Sequence, residues 1–148
     1  MHSKKILFVC IGNYCRSPVA QYILSSISNK NIIVDSAGIS PLIASTMDER
    51  SINYLSKIGV EYQIHTPKKI SSELIKDADL IIAMDNIVLT DLKRRFSKHL
   101  NKFRLFNIVK TNERVQDPYK FKNLNEYNEI MDKINFMTHL WKEKIDAL

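Results

Sequence analysis

The sequence is poor in cysteine, glycine and proline: 2, 3 and 4 residues respectively in a chain of 148. Two cysteines, Cys10 and Cys15, are too few for a disulfide framework, and with four scattered histidines they give no zinc-ligand spacing. No metal or cofactor is expected, and a reduced, cytoplasmic setting is. The low Gly and Pro content, beside 45% hydrophobic and 26% charged residues, excludes a fibrous or low-complexity chain. No repeat or linker divides it, so residues 1–148 read as one domain. No apolar run approaches the ~20 residues that cross a bilayer, so no membrane partner is expected. The opening "MHSKKILFVCIG" imitates a secretion signal, but its apolar run is too short and leads into Asn13 and Arg16 without a small-residue cleavage site. A first β-strand is expected there instead. The Gly-Lys-Ser/Thr of a nucleotide-binding P-loop is also missing.

What the chain does have is positive charge. A net charge of +6 draws anions to the surface. The basic segment "KRRFSKHLNKFR" (93–104) lacks the aromatic interleaving of single-stranded nucleic-acid binders, so it reads as a solvated helix face and loop, with no nucleic-acid partner.

Short apolar runs alternate with amphipathic segments. "KILFVC" (5–10) and "LIIAM" (80–84) have the continuous apolar character of buried parallel strands, and "NIIVDS" (31–36) and "FRLFNI" (103–108) are weaker strand candidates. Between them, "SPVAQYILSSIS" puts Ala20, Ile23, Leu24 and Ile27 on one helical face. "DERSINYLSKIG" groups Ile52, Leu55 and Ile58 and stops at Gly59. "SSELIKDA" and "NIVLTDLKRRF" are helices before and after the third strand. From Asn123 onward, Tyr127, Ile130, Met131, Ile134, Met137, Trp141, Ile145 and Leu148 form a long apolar stripe, and Asn123 with Glu126 resembles a capping box. The alternation predicts an α/β fold: a four-stranded parallel sheet flanked by helices on both faces. Ligands of such folds bind beyond the carboxyl ends of the strands, where strand order reverses.

The turn after the first strand is "CIGNYCRS" (10–17). Gly12 and Asn13 tolerate left-handed or strained angles. Ser17-Pro18 opens a helix, because Pro suits a first turn where no N–H is needed. A loop curling into a helix N-terminus turns successive N–H groups inward and makes an anion nest. Cys10 lies at its base, where those groups and the helix dipole favour a thiolate. Arg16 supplies a planar fork matched to two oxygens of a phosphate, and the Ser17 hydroxyl can donate to the sulfur. The chemistry suggested is attack of Cys10 sulfur on phosphorus, with the oxygens held by the loop and Arg16. Cys-X5-Arg alone is a weak signal; the preceding strand, the internal Gly and the Ser-Pro that follows give it weight.

Val9-Cys10-Ile11-Gly12-Asn13-Tyr14-Cys15-Arg16-Ser17-Pro18 resembles the N-terminal string of the low-molecular-weight protein tyrosine phosphatases, V-C-x-G-N-x-C-R-S-P. "DSAGI" (35–39), "DADLIIAMD" (77–85) and "DPY" (117–119) resemble further segments of that family in the same order. The resemblance implies the family's flavodoxin-like phosphotyrosine phosphatase I fold and hydrolysis of protein phosphotyrosine through a phosphocysteine. It implies Cys10 as nucleophile, Arg16 as phosphate clamp and Asp117 as general acid, then base. A positioned carboxyl is worth ~10²–10⁴-fold when a phenolate must leave. It also implies that Asn13 braces the loop with Ser17, Ser36 and His65 as partners. The phosphate-binding loop would be Ile11, Gly12, Asn13, Tyr14, Cys15, Arg16 and Ser17, with inorganic phosphate or a similar oxyanion as its ligand. A monomer or weak dimer is expected. Cys15 reads either as a small loop residue or as a redox guard that captures Cys10 in a reversible disulfide.

The chain departs from the family around the substrate slot. In "ISPLIASTMDER", Leu42 and Ile43 stand where an aromatic wall is usual, so the expected pocket is Ile11, Leu42, Ile43 and Tyr119. Tyr14 replaces the Ile of tyrosine-directed members and the Thr of arginine-phosphate-directed ones. Lys120 stands where a second aromatic is common, and Lys68 near an expected Arg. Protein-arginine phosphatase is therefore a competing reading. Arsenate reduction needs relay cysteines, and none follows Cys15. A non-catalytic phosphoprotein-binding module would have no need of Cys10, Arg16 and Asp117 together.

Overall fold

The first strand, β1 (Lys4–Cys10), is the centre of the architecture in this computed structural model, which describes residues 3–148. His2, given no functional role from the sequence, lies outside the described residues. β1 pairs in parallel with β2 (Ile32–Gly38) on one side and β3 (Leu80–Ala83) on the other. β4 (Phe103–Leu105) continues the sheet beyond β3, giving the order β2-β1-β3-β4. The chain therefore leaves β1 for one side and returns to the other, so the carboxyl ends of β1 and β3 form the switch point.

β1 is apolar on both faces because both are covered. Ile6, Phe8 and Cys10 pack in one cluster with α1 (Arg16–Ile27) and α5 (Leu124–Asp146). Leu7 and Val9 pack in another with α3 (Ser72–Asp77) and α4 (Asn86–Arg95). α2 (Glu49–Lys57) adds Tyr54 and Leu55 to the first cluster, and its chain turns at Gly59, whose φ of +74° is the left-handed angle glycine favours. The stripe on α5 is buried as expected from Tyr127 to Ile145, and the Asn123 side chain accepts from Glu126 N. Leu148 lies past the end of the helix and is 73% exposed, so it does not join the stripe. Strand β4 is shorter than the run that announced it. After Leu105 the chain tightens into a 3₁₀ turn that buries Phe106, whose carbonyl accepts from Trp141 Nε1 at 2.7 Å. The basic segment contributes Lys93, Arg94, Arg95, Lys98 and Arg104 to the exposed surface, as a solvated face should.

Candidate active site

Among the described residues, four of the five α-helices begin with a side-chain cap: Asp48 on α2, Ser71 on α3, Asp85 on α4 and Asn123 on α5. Helix α1 does not; its N-cap, Cys15, makes no side-chain capping bond to the helix, and its first turn holds no acidic residue. The first-turn N–H groups of α1, at the end of the loop after β1, thus have no side-chain acceptor, as the N-terminus of an anion-binding helix requires.

Asn13 braces the loop in its curl. Asn13 is fully buried and has φ +50°. Its Nδ2 donates to Ser17 Oγ at 2.8 Å and to Ser36 Oγ at 3.0 Å, and its Oδ1 accepts from Lys68 N at 3.0 Å. Ser36 passes its proton to Gln21 Oε1 at 2.6 Å. The Asn13 backbone also works: its N–H donates to Cys10 Sγ at 3.2 Å, and its carbonyl lies 3.0 Å from His65 Nε2. Within this loop only Asn13 takes the left-handed angle; Gly12 does not, and a Cβ there would make only ordinary contacts of 3.7 Å or more. The glycine that the loop requires is Gly38, at the end of β2, where a Cβ would lie 2.6 Å from Ile11 O and 2.9 Å from Asn13 N. Lys68 supports the loop through its backbone N–H, while its side chain pairs with Asp35 outside the site at 2.6 Å. The brace is therefore indifferent to Lys in place of Arg.

Cys10 Sγ lies 2.9 Å from Ser17 Oγ. Because Ser17 Oγ already accepts from Asn13, its own proton is directed at the sulfur. Arg16 is 1% exposed. Its Nη1 donates to Asp85 Oδ2 and to Val115 O, both at 2.8 Å, while its Nη2 is buried with no protein partner. The guanidinium is thus not a free fork. Half of it is anchored to the end of β3 and the approach to Asp117, and the other half is left for a ligand. Burial works against the guanidinium charge, but Cys10, Asp85 and Asp117 around it outweigh this and raise its pKa.

A cleft of about 120 Å³ opens over these groups, lined by Cys10, Ile11, Gly12, Tyr14, Cys15, Arg16, Ser40, Leu42, Asp117 and Tyr119. It brings together the expected nucleophile, clamp and acid, and three of the four expected pocket residues. Ile43 is not among them; its side chain points fully into solvent. Tyr14 takes a place in the wall that its sequence position did not settle: its ring meets Tyr119 edge to face, with centroids 5.7 Å apart. Ser40 also lines the cleft, and Asp85 anchors the clamp. Neither is marked by local sequence: the pairing of β1 with β3 brings Asp85 to Arg16, and the bond from Ser40 N to Ile11 O brings Ser40 to the loop. Cys15 is buried, its Sγ 3.7 Å from Asp48 Oδ2, and burial pushes its pKa well up. Among the described residues, no group of three His, Cys, Asp or Glu could hold a metal ion. Among the same residues no helix is long and apolar enough to cross a membrane.

His65 carries a pH dependence. Burial lowers its pKa, the hydrogen bond to Asn13 O opposes this, Lys68 lowers it further and Asp35 opposes. The folded chain therefore binds this proton less readily than the unfolded chain. The stabilisation is complete above the unfolded value of about 6.5 and is lost as pH falls from there through the lower folded-state value. Unfolding free energies measured between pH 7.5 and 5 should fall with acidification in the native chain and fall less in His65→Asn. Equal slopes would refute the assignment.

A sheet of order β2-β1-β3-β4 with a Cys-X5-Arg loop at its switch point is the frame of a cysteine-dependent phosphatase. The chain belongs to the low molecular weight phosphotyrosine protein phosphatase family, whose model matches residues 5–147. It is 33% identical over 146 residues to the probable low molecular weight protein-tyrosine-phosphatase EpsP of Ralstonia nicotianae, with 98% of each chain covered. It is 44% identical over 84 residues to the low molecular weight protein-tyrosine-phosphatase Ptp of Acinetobacter johnsonii, a match spanning 57% of this chain and 58% of that one. Among solved structures it resembles the YwlE arginine phosphatase from Geobacillus stearothermophilus, with a TM-score of 0.88, 25% identity, and 97% of this chain and 94% of that one covered.

Proposed function

We propose that residues 1–148 form one catalytic domain that hydrolyses phosphotyrosine in proteins through a phosphocysteine on Cys10. The observation that carries the reading is the buried, unpartnered Arg16 Nη2 in the same cleft as Cys10 Sγ. A donor so placed costs free energy unless an oxyanion completes it. In the first step the Cys10 thiolate attacks phosphorus, the S–P bond forms and the P–O(aryl) bond breaks. The uncapped N-terminus of α1 and Arg16 Nη2 hold the equatorial oxygens, and Asp117 gives its proton to the departing phenolate. In the second step water attacks phosphorus and yields its proton to Asp117. Inorganic phosphate leaves and the thiolate returns. Ser17 Oγ, directed at the sulfur, stabilises that thiolate as leaving group.

Phosphotyrosine is favoured by the walls. Ile11, Leu42, Tyr14 and Tyr119 offer apolar and aromatic surface to a phenyl ring. Phosphoarginine is the second reading, favoured by the likeness to the arginine phosphatase and by the absence of an aromatic at Leu42. Turnover of phosphotyrosine and phosphoarginine peptides of the same sequence decides between them. The expected result is a kcat/KM for phosphotyrosine at least about tenfold higher, a difference of ~1.4 kcal/mol in transition-state binding, with a chelator present throughout. The reverse order would transfer the assignment to phosphoarginine.

Cys15 is assigned the guard role. When peroxide oxidises Cys10 to a sulfenic acid, the Cys15 thiol displaces water to form the Cys10–Cys15 disulfide, which a dithiol reductant reopens. Cys15→Ser should keep its activity but lose recovery after peroxide followed by dithiothreitol. Unchanged recovery would leave Cys15 as packing.

A further inference from the structure

The residue assigned as general acid sits in a segment with no helix or strand to hold it: none of residues 114–122 belongs to either. Within the segment, Tyr119 N donates to Asp117 Oδ1 at 3.1 Å and Phe121 N to Pro118 O at 3.0 Å. These bonds shape the turn without fixing its place. Among the described residues, the segment is tied to the rest of the fold by hydrogen bonds from two arginines. Two residues before Asp117, Val115 O accepts from Arg16 Nη1 at 2.8 Å. Two residues after it, Tyr119 O accepts from Arg50 Nη2 at 3.0 Å, and Phe121 O accepts from Arg50 Nη1 at 2.6 Å.

Arg50 is itself immobilised. Asp48 Oδ1 accepts from its N at 2.9 Å and its Nε at 3.0 Å, and Asp48 Oδ2 pairs with its Nη2 at 2.8 Å. The guanidinium also lies over the Tyr127 ring, 4.0 Å from its centroid. Tyr127 in turn donates to Ser51 Oγ at 2.6 Å, since the Ser51 proton goes to Cys15 O at 3.0 Å. Asp48 is 5% exposed and reaches the phosphate loop directly: its N–H donates to Tyr14 O at 2.9 Å, and Cys15 Sγ lies 3.7 Å from its Oδ2. Burial raises the Asp48 pKa, but the Arg50 hydrogen bonds and charge outweigh it and hold the carboxylate ionised.

We infer that Asp48 and Arg50 are positioning residues that set the reach of Asp117 to the leaving oxygen. They clamp the acid-bearing segment on its carboxyl side to the same loop that Arg16 ties to its amino side. Both arginines are backed by a carboxylate, Asp85 for Arg16 and Asp48 for Arg50. The acid and the phosphate cradle thus move as one body. The Arg50 fork matters more than its charge, because two carbonyls and one carboxylate are reached at once; a lysine ammonium cannot span all three.

This inference rests on Asp117 as the general acid, and the test separates the two. Proton donation matters for poor leaving groups and little for good ones, so kcat/KM is measured for a series of aryl phosphates of rising leaving-group pKa. Asp117→Ala should lose ~10²-fold or more at the basic end and little at the acidic end. Arg50→Lys and Asp48→Asn should lose roughly tenfold at the basic end only, as a donor displaced from its position does, and Asp117→Ala with Arg50→Lys should lose no more than Asp117→Ala alone. Arg50→Lys retains charge and stem, and its thermal unfolding is followed in parallel. A loss equal across the series, an additive double variant, or native rates in both Arg50→Lys and Asp48→Asn would overturn the positioning role. A flat series in Asp117→Ala would instead overturn the general-acid assignment.

Discussion

Cys10→Ser is expected to lower aryl-phosphate turnover by at least about 10³-fold, the scale on which removal of a nucleophile registers, while phosphate binding survives. A serine hydroxyl in the same place is not ionised near neutral pH, and neither the Ser17 proton nor the Asn13 N–H removes its proton. The cradle is untouched, since the brace from Asn13 to Ser17, Ser36 and Lys68 does not pass through the sulfur. Binding of inorganic phosphate should hold, because the loop and the Arg16 Nη2 that would receive its oxygens are unchanged. Initial rates with an aryl phosphate and calorimetric titration with phosphate check both halves. Native turnover in the variant would remove Cys10 from the mechanism.

Arg16→Lys should lose ~10²–10³-fold in kcat/KM, comparable to removing a preorganised oxyanion donor. The guanidinium serves three directions at once: Asp85 and Val115 O through Nη1, and the cleft through Nη2. An ammonium has one nitrogen: set where Nη1 lies it keeps Asp85 and Val115 O and abandons the cleft, and set toward the cleft it abandons both. If it stays with Asp85 and Val115 O, the phosphate loses its clamp; if it turns to the phosphate, Val115 O loses its partner. Leaving that carbonyl unsatisfied costs on the order of 1–3 kcal/mol, so a lower Tm is then expected beside the kinetic loss. Rates within a few-fold of native would mean that the phosphate is held by the loop N–H groups alone.

Local pattern made much of the molecule legible. The apolar runs of β1 and β3, the stripe and cap of α5, and the stop at Gly59 follow from periodicity and from residues a few positions apart. The string from Val9 to Pro18 carries the nucleophile, the clamp and the helix start within one turn, and the likeness to a known family brought Asp117 to the same cleft. The apolar run at 103–108 overstates its strand, because its last half forms a 3₁₀ turn whose Phe106 carbonyl bonds Trp141, 35 positions away.

Asn13 and Gly12 were equal candidates for the left-handed angle. Asn13 takes it because its side chain finds Ser36 and Lys68, 23 and 55 positions along the chain. Leu42 and Ile43 were equal candidates for the wall, and the backbone bond from Leu42 N to Gly12 O at 3.0 Å turns Leu42 toward the cleft. Composition and short-range spacing therefore determine the sheet, its helices and the chemistry of the loop after β1. Which nitrogen of Arg16 is free, where Tyr14 rests, and what holds Asp117 in reach are decided only on folding. Each depends on contacts between groups that the sequence separates by tens of residues and only the folded chain brings together.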